Sequence, residues 1–239
     1  IVKGNLAYSY TLGVLPLTDP YVLLQSLVAG QVPHKLAFIG VAIVIGFYLL
    51  FGGRSFCAWV CPVNLVTDLA GWLRARLGIK GGPHVSRQVR YWILAATFVV
   101  GAVTGTIAWE MLNPVSMLHR GLIFGMGLAW AVILAIFLFD LFVMRQGWCG
   151  HFCPVGAFYS LIGKVSLTRI RLPNREACND CMDCFTVCPE PQVIRPALKA
   201  VGQTHPLILA ADCTTCGRCI DVCDKQVFKM THRFDQRSE

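Results

Sequence analysis

A bundle of membrane-spanning α-helices joined to a small α+β domain is the architecture this sequence predicts. Three observations point there. Of the 239 residues, 55% are hydrophobic and only 14% charged, against about a quarter charged in ordinary soluble domains. Three stretches contain no charged residue, at 36–53, 91–109 and 121–139. Each approaches the roughly 20 residues needed to cross the hydrocarbon, and backbone groups in lipid are satisfied within a helix. Eight of the 12 cysteines fall in two matching runs after residue 177, the pattern of a compact cysteine-rich domain.

In chain order, residues 1–35 read as a periplasmic segment. Pro16, Asp19-Pro20, Gly30 and Pro33 interrupt any long helix there, leaving a short interfacial helix over Tyr21–Ala29. Residues 36–163 hold the three spans. The connection after the first carries Arg54, Arg74, Arg76, Lys80, Arg87 and Arg90 against Asp68 alone, whereas that after the second carries Arg120 and Glu110. The positive-inside rule puts the basic connection in the cytoplasm. This predicts a multi-pass protein of the bacterial inner membrane, in contact with lipid, with its C-terminal domain cytoplasmic and a further span preceding Ile1. Residues 164–177 read as a linker, 178–232 as the small domain and 233–239 as a loose tail. The net charge of +8 is absorbed by these flanking residues. No basic-aromatic patch or nucleic-acid module accompanies it, so nucleic acid is not an expected partner.

The two runs are Cys178-x2-Cys181-x2-Cys184-x3-Cys188-Pro and Cys213-x2-Cys216-x2-Cys219-x3-Cys223. This is the bacterial spacing for [4Fe–4S] clusters, in which the fourth cysteine of each run ligates the other cluster. Cys178, Cys181, Cys184 and Cys223 are therefore assigned to cluster one, and Cys213, Cys216, Cys219 and Cys188 to cluster two. Zinc sites use other spacings. The second run ends Cys223-Asp224 where the first has Cys188-Pro189; the proline shapes a turn and is no ligand.

Four further cysteines form an internal repeat. Phe56-Cys57-Ala-Trp-Val-Cys61-Pro-Val follows the first span, and Trp148-Cys149-Gly-His-Phe-Cys153-Pro-Val follows the third. A spacing of four turns both thiols of a pair to one helix face, and the proline suits a first-turn position or a kink. Cys57, Cys61, Cys149 and Cys153 are expected to converge on one shared third centre, iron–sulfur or another metal. Buried packing and a redox-active dithiol are the alternatives. His151, inside the second pair, is a ligand, a proton carrier or a water-facing side chain. Asp140 ends the third span, where an acid should face the bundle or a watered cavity and could accept a proton from a quinol. Glu110 and His119 flank the 111–119 turn and form a second candidate for binding a quinone head group; solvated helix-end charges are the simpler reading.

These motifs resemble the NapH family, membrane ferredoxin-type quinol dehydrogenase components associated with periplasmic nitrate reductase. The matching residues are Pro16-Leu-Thr-Asp-Pro20, Phe56 to Pro62, Thr67-Asp-Leu69, Trp109-Glu110 with Asn113-Pro-Val-Ser116, Phe139-Asp-Leu141, Gly147 to Ala157 and both cluster runs. The resemblance implies four spans, quinol as electron donor, and periplasmic iron–sulfur or cytochrome subunits of a respiratory complex as partners. The expected function is that of a membrane-bound electron-transfer subunit, a quinol dehydrogenase component. A metal-handling factor that supplies copper or reductant to a maturing respiratory enzyme is the alternative, and a redox sensor acting through the paired cysteines is a weaker one.

Overall fold

The computed structural model describes residues 2–4, 8–11, 15–79, 81–83, 85–125, 127–199 and 206–235. Lys80 and the end of the tail, 236–239, lie outside the described residues. Three short strands open the chain: β1 (Val2–Gly4), β2 (Tyr8–Thr11) and β3 (Leu15–Thr18). They form an antiparallel sheet with Val2 opposite Thr11 and Ser9 opposite Leu17. There follow α1 (Pro20–Val28), α2 (Lys35–Phe51), α3 (Ser55–Trp59), α4 (Pro62–Arg76), α5 (Val89–Thr104), α6 (Ala108–Leu112), α7 (Pro114–Phe124) and α8 (Ala129–Leu138). Two π-helical turns, Phe139–Val143 and Trp148–Phe152, lead into α9 (Pro154–Gly163). The C-terminal part holds β4 (Thr168–Arg171), α10 (Asp183–Val187), α11 (Ile194–Lys199), α12 (Arg218–Asp221) and β5 (Lys229–His232).

Proline sets most helix starts. Pro20, Pro62, Pro114 and Pro154 each open a helix, where the missing N–H costs nothing and φ is already helical. Asp19 caps α1 by accepting from the Tyr21 N–H at 2.8 Å, and Asn113 caps α7 by accepting from Val115 at 3.1 Å. The expected turn at Asn113-Pro114 is thus a hinge between α6 and α7.

The three expected spans are corrected by the structure. No helix among the described residues is long and apolar enough to cross a membrane. The first and second uncharged stretches form α2, 17 residues, and α5, 16 residues. Gly52 at φ 120° ends the first and Gly105 at φ 64° the second, a left-handed conformation that other residues resist. The third stretch breaks entirely. Gly125 and Gly127 take φ of 100° and 33°, so α7 stops at Phe124 and α8 has only ten residues. The sequence reading counted apolar length and passed over these glycines. The inside and outside placement loses the helices on which it rested. Three of the arginines counted for orientation are buried instead: Arg54, Arg74 and Arg90 are 2%, 4% and 1% exposed.

The chain divides into two compact units, residues 1–46 with 61–158 and residues 47–60 with 159–239. In the first, Tyr21, Leu94, Trp109 and Ala157 form a buried core. The Tyr21 ring meets Phe98 edge-on at 5.7 Å, and its hydroxyl pairs with Thr97 at 2.9 Å. Burial raises the Tyr21 phenol well above its ordinary value, so it remains a neutral hydrogen-bonding group.

In the second unit, residues read as a linker supply β4, which pairs antiparallel with β5 in the register Thr168 to His232 and Arg171 to Lys229. Ile170, Leu172, Ile194, Ile208 and Val227 build its core, and Cys184 and Cys219 are part of it. The segment 47–60 packs into this unit. Leu167 donates its N–H to the Leu49 carbonyl at 2.7 Å, and Tyr48 stacks edge-on against Tyr159 at 4.8 Å. Gly53 sits so close to Tyr159 and Gly163 that a Cβ there would strike the carbonyl of one and the N–H of the other. Gly53→Ala is therefore expected to destabilise this unit by about 1–3 kcal/mol, as overpacking does; an unchanged melting temperature would show that the backbones part without cost.

Candidate iron–sulfur sites

The first cysteine run leaves the short 3-10 turn Arg175–Ala177 at Cys178 and reaches α10, where Cys184 points into the core. The second run enters α12 at Arg218 with Cys219 buried in the same core. Both loops use one backbone device. Asp180 and Thr215, each just before the middle cysteine, have φ of 58° and 53°; Met182 and Gly217, each just after it, have φ of 67° and 78°. Left-handed residues set among right-handed ones make concave runs of N–H groups suited to anions. The Cys213 sulfur accepts from the Thr215 N–H, and the Cys184 sulfur from that of Phe185. Glycine at 217 takes its angle freely, whereas Met182 holds the same angle at a steric cost.

Cys178, Cys181, Cys184 and Cys223 line one open cavity. Cys188, Cys213 and Cys216 are the neighbours whose charge bears on Cys219. Cys223 thus lies beside the first run and Cys188 beside Cys219 of the second. Burial pushes the Cys184, Cys213 and Cys219 thiols up, and the neighbouring sulfurs push Cys184 and Cys219 further. Such thiols ionise only when a positive metal centre compensates them. Single-ion coordination requires donors about 2.3 Å from one point. Among the described residues no group of three or more His, Cys, Asp or Glu is set that way. Thiols that ring a cavity, with backbone N–H groups turned to sulfur, fit a multi-iron cluster.

The repeated Cys-x3-Cys-Pro pairs take a form the sequence reading missed. Cys57 lies in α3 and Cys149 in the π-helical turn 148–152, but each helix ends before its second cysteine. Cys61 and Cys153 are extended, at ψ 116° and 111°, and each immediately precedes a proline-led helix. Each pair is therefore a helix break, and its thiols do not share one helix face. The Cys153 sulfur accepts from the Gly156 N–H at 3.5 Å. Cys57 belongs to the second unit, and Cys61, Cys149 and Cys153 to the first.

Around Cys149 the first unit buries a polar group. The Thr67 hydroxyl lies 3.9 Å from the Cys149 sulfur. Asp68 receives hydrogen bonds from Gln146 at 2.9 Å and Asn64 at 3.2 Å. Asp140 is fully buried; its Oδ1 accepts from the Trp148 N–H at 3.0 Å and its Oδ2 has no hydrogen-bond partner. Burial raises this carboxyl from 3.8 to about 7, against the backbone hydrogen bonds and Arg74, which lower it. His151 is buried, not facing water, and its Nδ1 has no partner. Burial holds it below the ordinary histidine value, helped by Arg87 and Arg90. Arg74 donates to the Leu141 carbonyl at 2.7 Å and Arg90 to that of Gly150 at 3.5 Å. Sequence reasoning took both arginines for loop charges; nothing in their spacing marks them as buried. Glu110 pairs with Arg120 at 3.4 Å on an exposed surface, and no hydrogen bond or ion pair joins it to His119 among the described contacts.

Two models of protein families match. One, described as a 4Fe-4S binding domain, covers residues 33–80 and 123–173, so that each segment encloses one copy of the Cys-x3-Cys-Pro repeat. The other, described as a 4Fe-4S dicluster domain, covers residues 170–224 and encloses both cluster runs. The methylamine utilization ferredoxin-type protein MauN of Methylorubrum extorquens is 54% identical over 98% of this chain and 80% of its own. The ferredoxin-type protein NapH of Haemophilus influenzae is 47% identical over 100% and 83%; that of Escherichia coli is 46% identical over 98% and 81%. The chain belongs to the NapH family of ferredoxin-type proteins. It is an iron–sulfur electron-transfer protein. No solved structure matches it. Within this NapH-family chain both cysteine runs fall in the segment that the 4Fe-4S dicluster model matches.

Proposed function

We propose that this protein oxidises a quinol and passes the electrons, through its iron–sulfur centres, to an iron–sulfur or cytochrome subunit of a partner redox enzyme. The observation that carries the quinol step is the buried, half-unpartnered carboxyl of Asp140. Oxidation of a quinol to a quinone releases two electrons and two protons. A [4Fe–4S] cluster supplies one-electron exchange, so two of them match a two-electron donor. Asp140, raised to about 7, is poised near neutral pH to receive a proton, the condition for an effective base. Its Oδ1 is held by Trp148, next to Cys149, which leaves Oδ2 for the proton. His151, kept neutral by burial, has an Nδ1 available for the second. Glu110, already paired with Arg120, is less suited to this role. The identity of 54% to ferredoxin-type proteins named for methylamine utilization supports electron transfer to a partner as the role of the chain.

The test is anaerobic mixing of the iron-loaded protein with a water-soluble quinol analogue, following cluster absorbance. Reduction within the mixing experiment is expected, and Asp140→Asn should slow it by about 10²-fold or more, the usual contribution of a general base. A quinol that leaves the clusters oxidised, while dithionite reduces them, would remove the quinol from the reading.

A further inference from the structure

The two cluster sites share a spacing and differ in surroundings. The first opens to solvent. Its cavity is rimmed by Asp180, Asp183 and Lys225, and Cys181 is exposed. Lys199 meets Asp180 at 2.9 Å, with both side chains substantially exposed, so water screens that pair. The second site is flanked by buried cations. Arg54, 2% exposed, donates through one nitrogen to the Asp212 carbonyl at 3.0 Å and to Glu190 at 2.7 Å. Asp212 directly precedes Cys213, and Glu190 follows Cys188 by two residues. The other Glu190 oxygen is held by Gln192 at 2.9 Å. Arg169, 4% exposed, donates to the carbonyls of Gly163 and Lys164.

The segment that brings Arg54 here also meets the second cysteine loop directly. Gly52, at φ 120°, lies against Thr215 so closely that a Cβ would stand 2.5 Å from its hydroxyl oxygen. Thr215 is one of the left-handed residues that shape the second cysteine loop. Ser55 donates its hydroxyl to the Gly52 carbonyl at 2.7 Å and fixes the turn. Gly52 to Ser55 therefore forms a strut against the loop of the second site.

We propose that Arg54 is a positioning residue for the second cluster site: its buried guanidinium ties the chain beside Cys213 to the chain beside Cys188 and, by balancing the Glu190 carboxylate, keeps the reduction potential of this site from falling. The inference rests on the electron-transfer reading and deepens it. Reducing a cluster adds one negative charge. A desolvated cation nearby stabilises that charge, as net charge and solvent exposure set cluster potentials. Cys188 and Cys213 come from distant parts of the chain, and Arg54 reaches the backbone or side chain beside each.

The test is an EPR-monitored redox titration of the full iron-loaded chain. Cys178→Ser isolates the signal of the second site and Cys213→Ser that of the first. The charge-neutral double variant Arg54→Met with Glu190→Gln removes the tie without changing the net charge; it is expected to broaden the second site's signal or to lose its iron selectively, whereas Arg54→Met alone, which leaves Glu190 unbalanced, should lower the midpoint of the second site, and both should leave the first site's midpoint unchanged. Arg54→Lys keeps the charge but loses the two-way grip; it should preserve most of the midpoint while broadening the second site's signal. Equal shifts at both sites, or no change in any variant, would overturn the inference. Should the double variant fail to fold, Arg54→Lys decides alone: a signal identical to wild type refutes the positioning role. A wild-type protein that takes up no iron and sulfide would instead sink the electron-transfer reading itself.

Discussion

Cys188→Ser is expected to empty the site built on Cys213, Cys216 and Cys219 and to leave that built on Cys178, Cys181 and Cys184 filled. Cys223→Ser should do the reverse. The reason is the crossing of the chain. Cys223 lines the cavity of the first three cysteines, while Cys188 is among the sulfurs that bear on Cys219. Each substitution should lower the iron content from about eight to about four atoms per chain, since each cluster carries four. The loss should extend to stability, because Cys184 and Cys219 sit in the second unit's core and a vacant set leaves thiols packed around a void. Iron and sulfide analysis with EPR of the reduced protein checks this. If Cys188→Ser empties the first site, the ligand sets are not crossed.

What could be read from the sequence followed from local spacing. The two cysteine runs, the Asn113-Pro114 hinge and the short helix starting near Tyr21 depend on residues within a few positions of one another. The expected spans failed because apolar length alone does not make a helix continuous. Gly125 and Gly127 adopt backbone angles that end α7, and glycine does so at no steric cost. The expectation that each Cys-x3-Cys pair shares a helix face failed for a similar reason. Pro62 and Pro154 start new helices, and the preceding cysteine is forced into an extended conformation. Arg54, Arg74 and Arg90 were illegible because their partners are backbone carbonyls and one carboxylate distant in sequence. A carbonyl leaves no mark in composition. The only local sign of Arg54 is the Gly52-Gly53 pair before it, which permits the close approach.

Asp140→Asn is expected to remove a pH dependence of stability worth about 4 kcal/mol. The carboxyl takes up its proton near 3.8 in an open chain and near 7 when buried. Between those pH values the folded state holds a proton that the unfolded state has lost, so stability falls as pH rises across that window. Its contribution is complete below about pH 4 and gone above about pH 7. The rise of roughly three pH units, at about 1.4 kcal/mol for each, sets the size. The cause is burial, which outweighs the backbone hydrogen bonds from Trp148 and Gly147 and the charge of Arg74. Oδ2 has no partner, and Arg74 is engaged with the Leu141 carbonyl. Asparagine retains an oxygen for the Trp148 N–H and carries no charge at any pH. The variant's unfolding free energy should therefore vary less between pH 4 and 7, and it should exceed the wild type most clearly near pH 8. Denaturant unfolding monitored by the fluorescence of Trp109, in the core of the same unit, gives the measurement at each pH. Parallel profiles for the two proteins would mean that the Asp140 carboxyl keeps its ordinary value in the fold, too weak a base to hold a quinol proton at neutral pH.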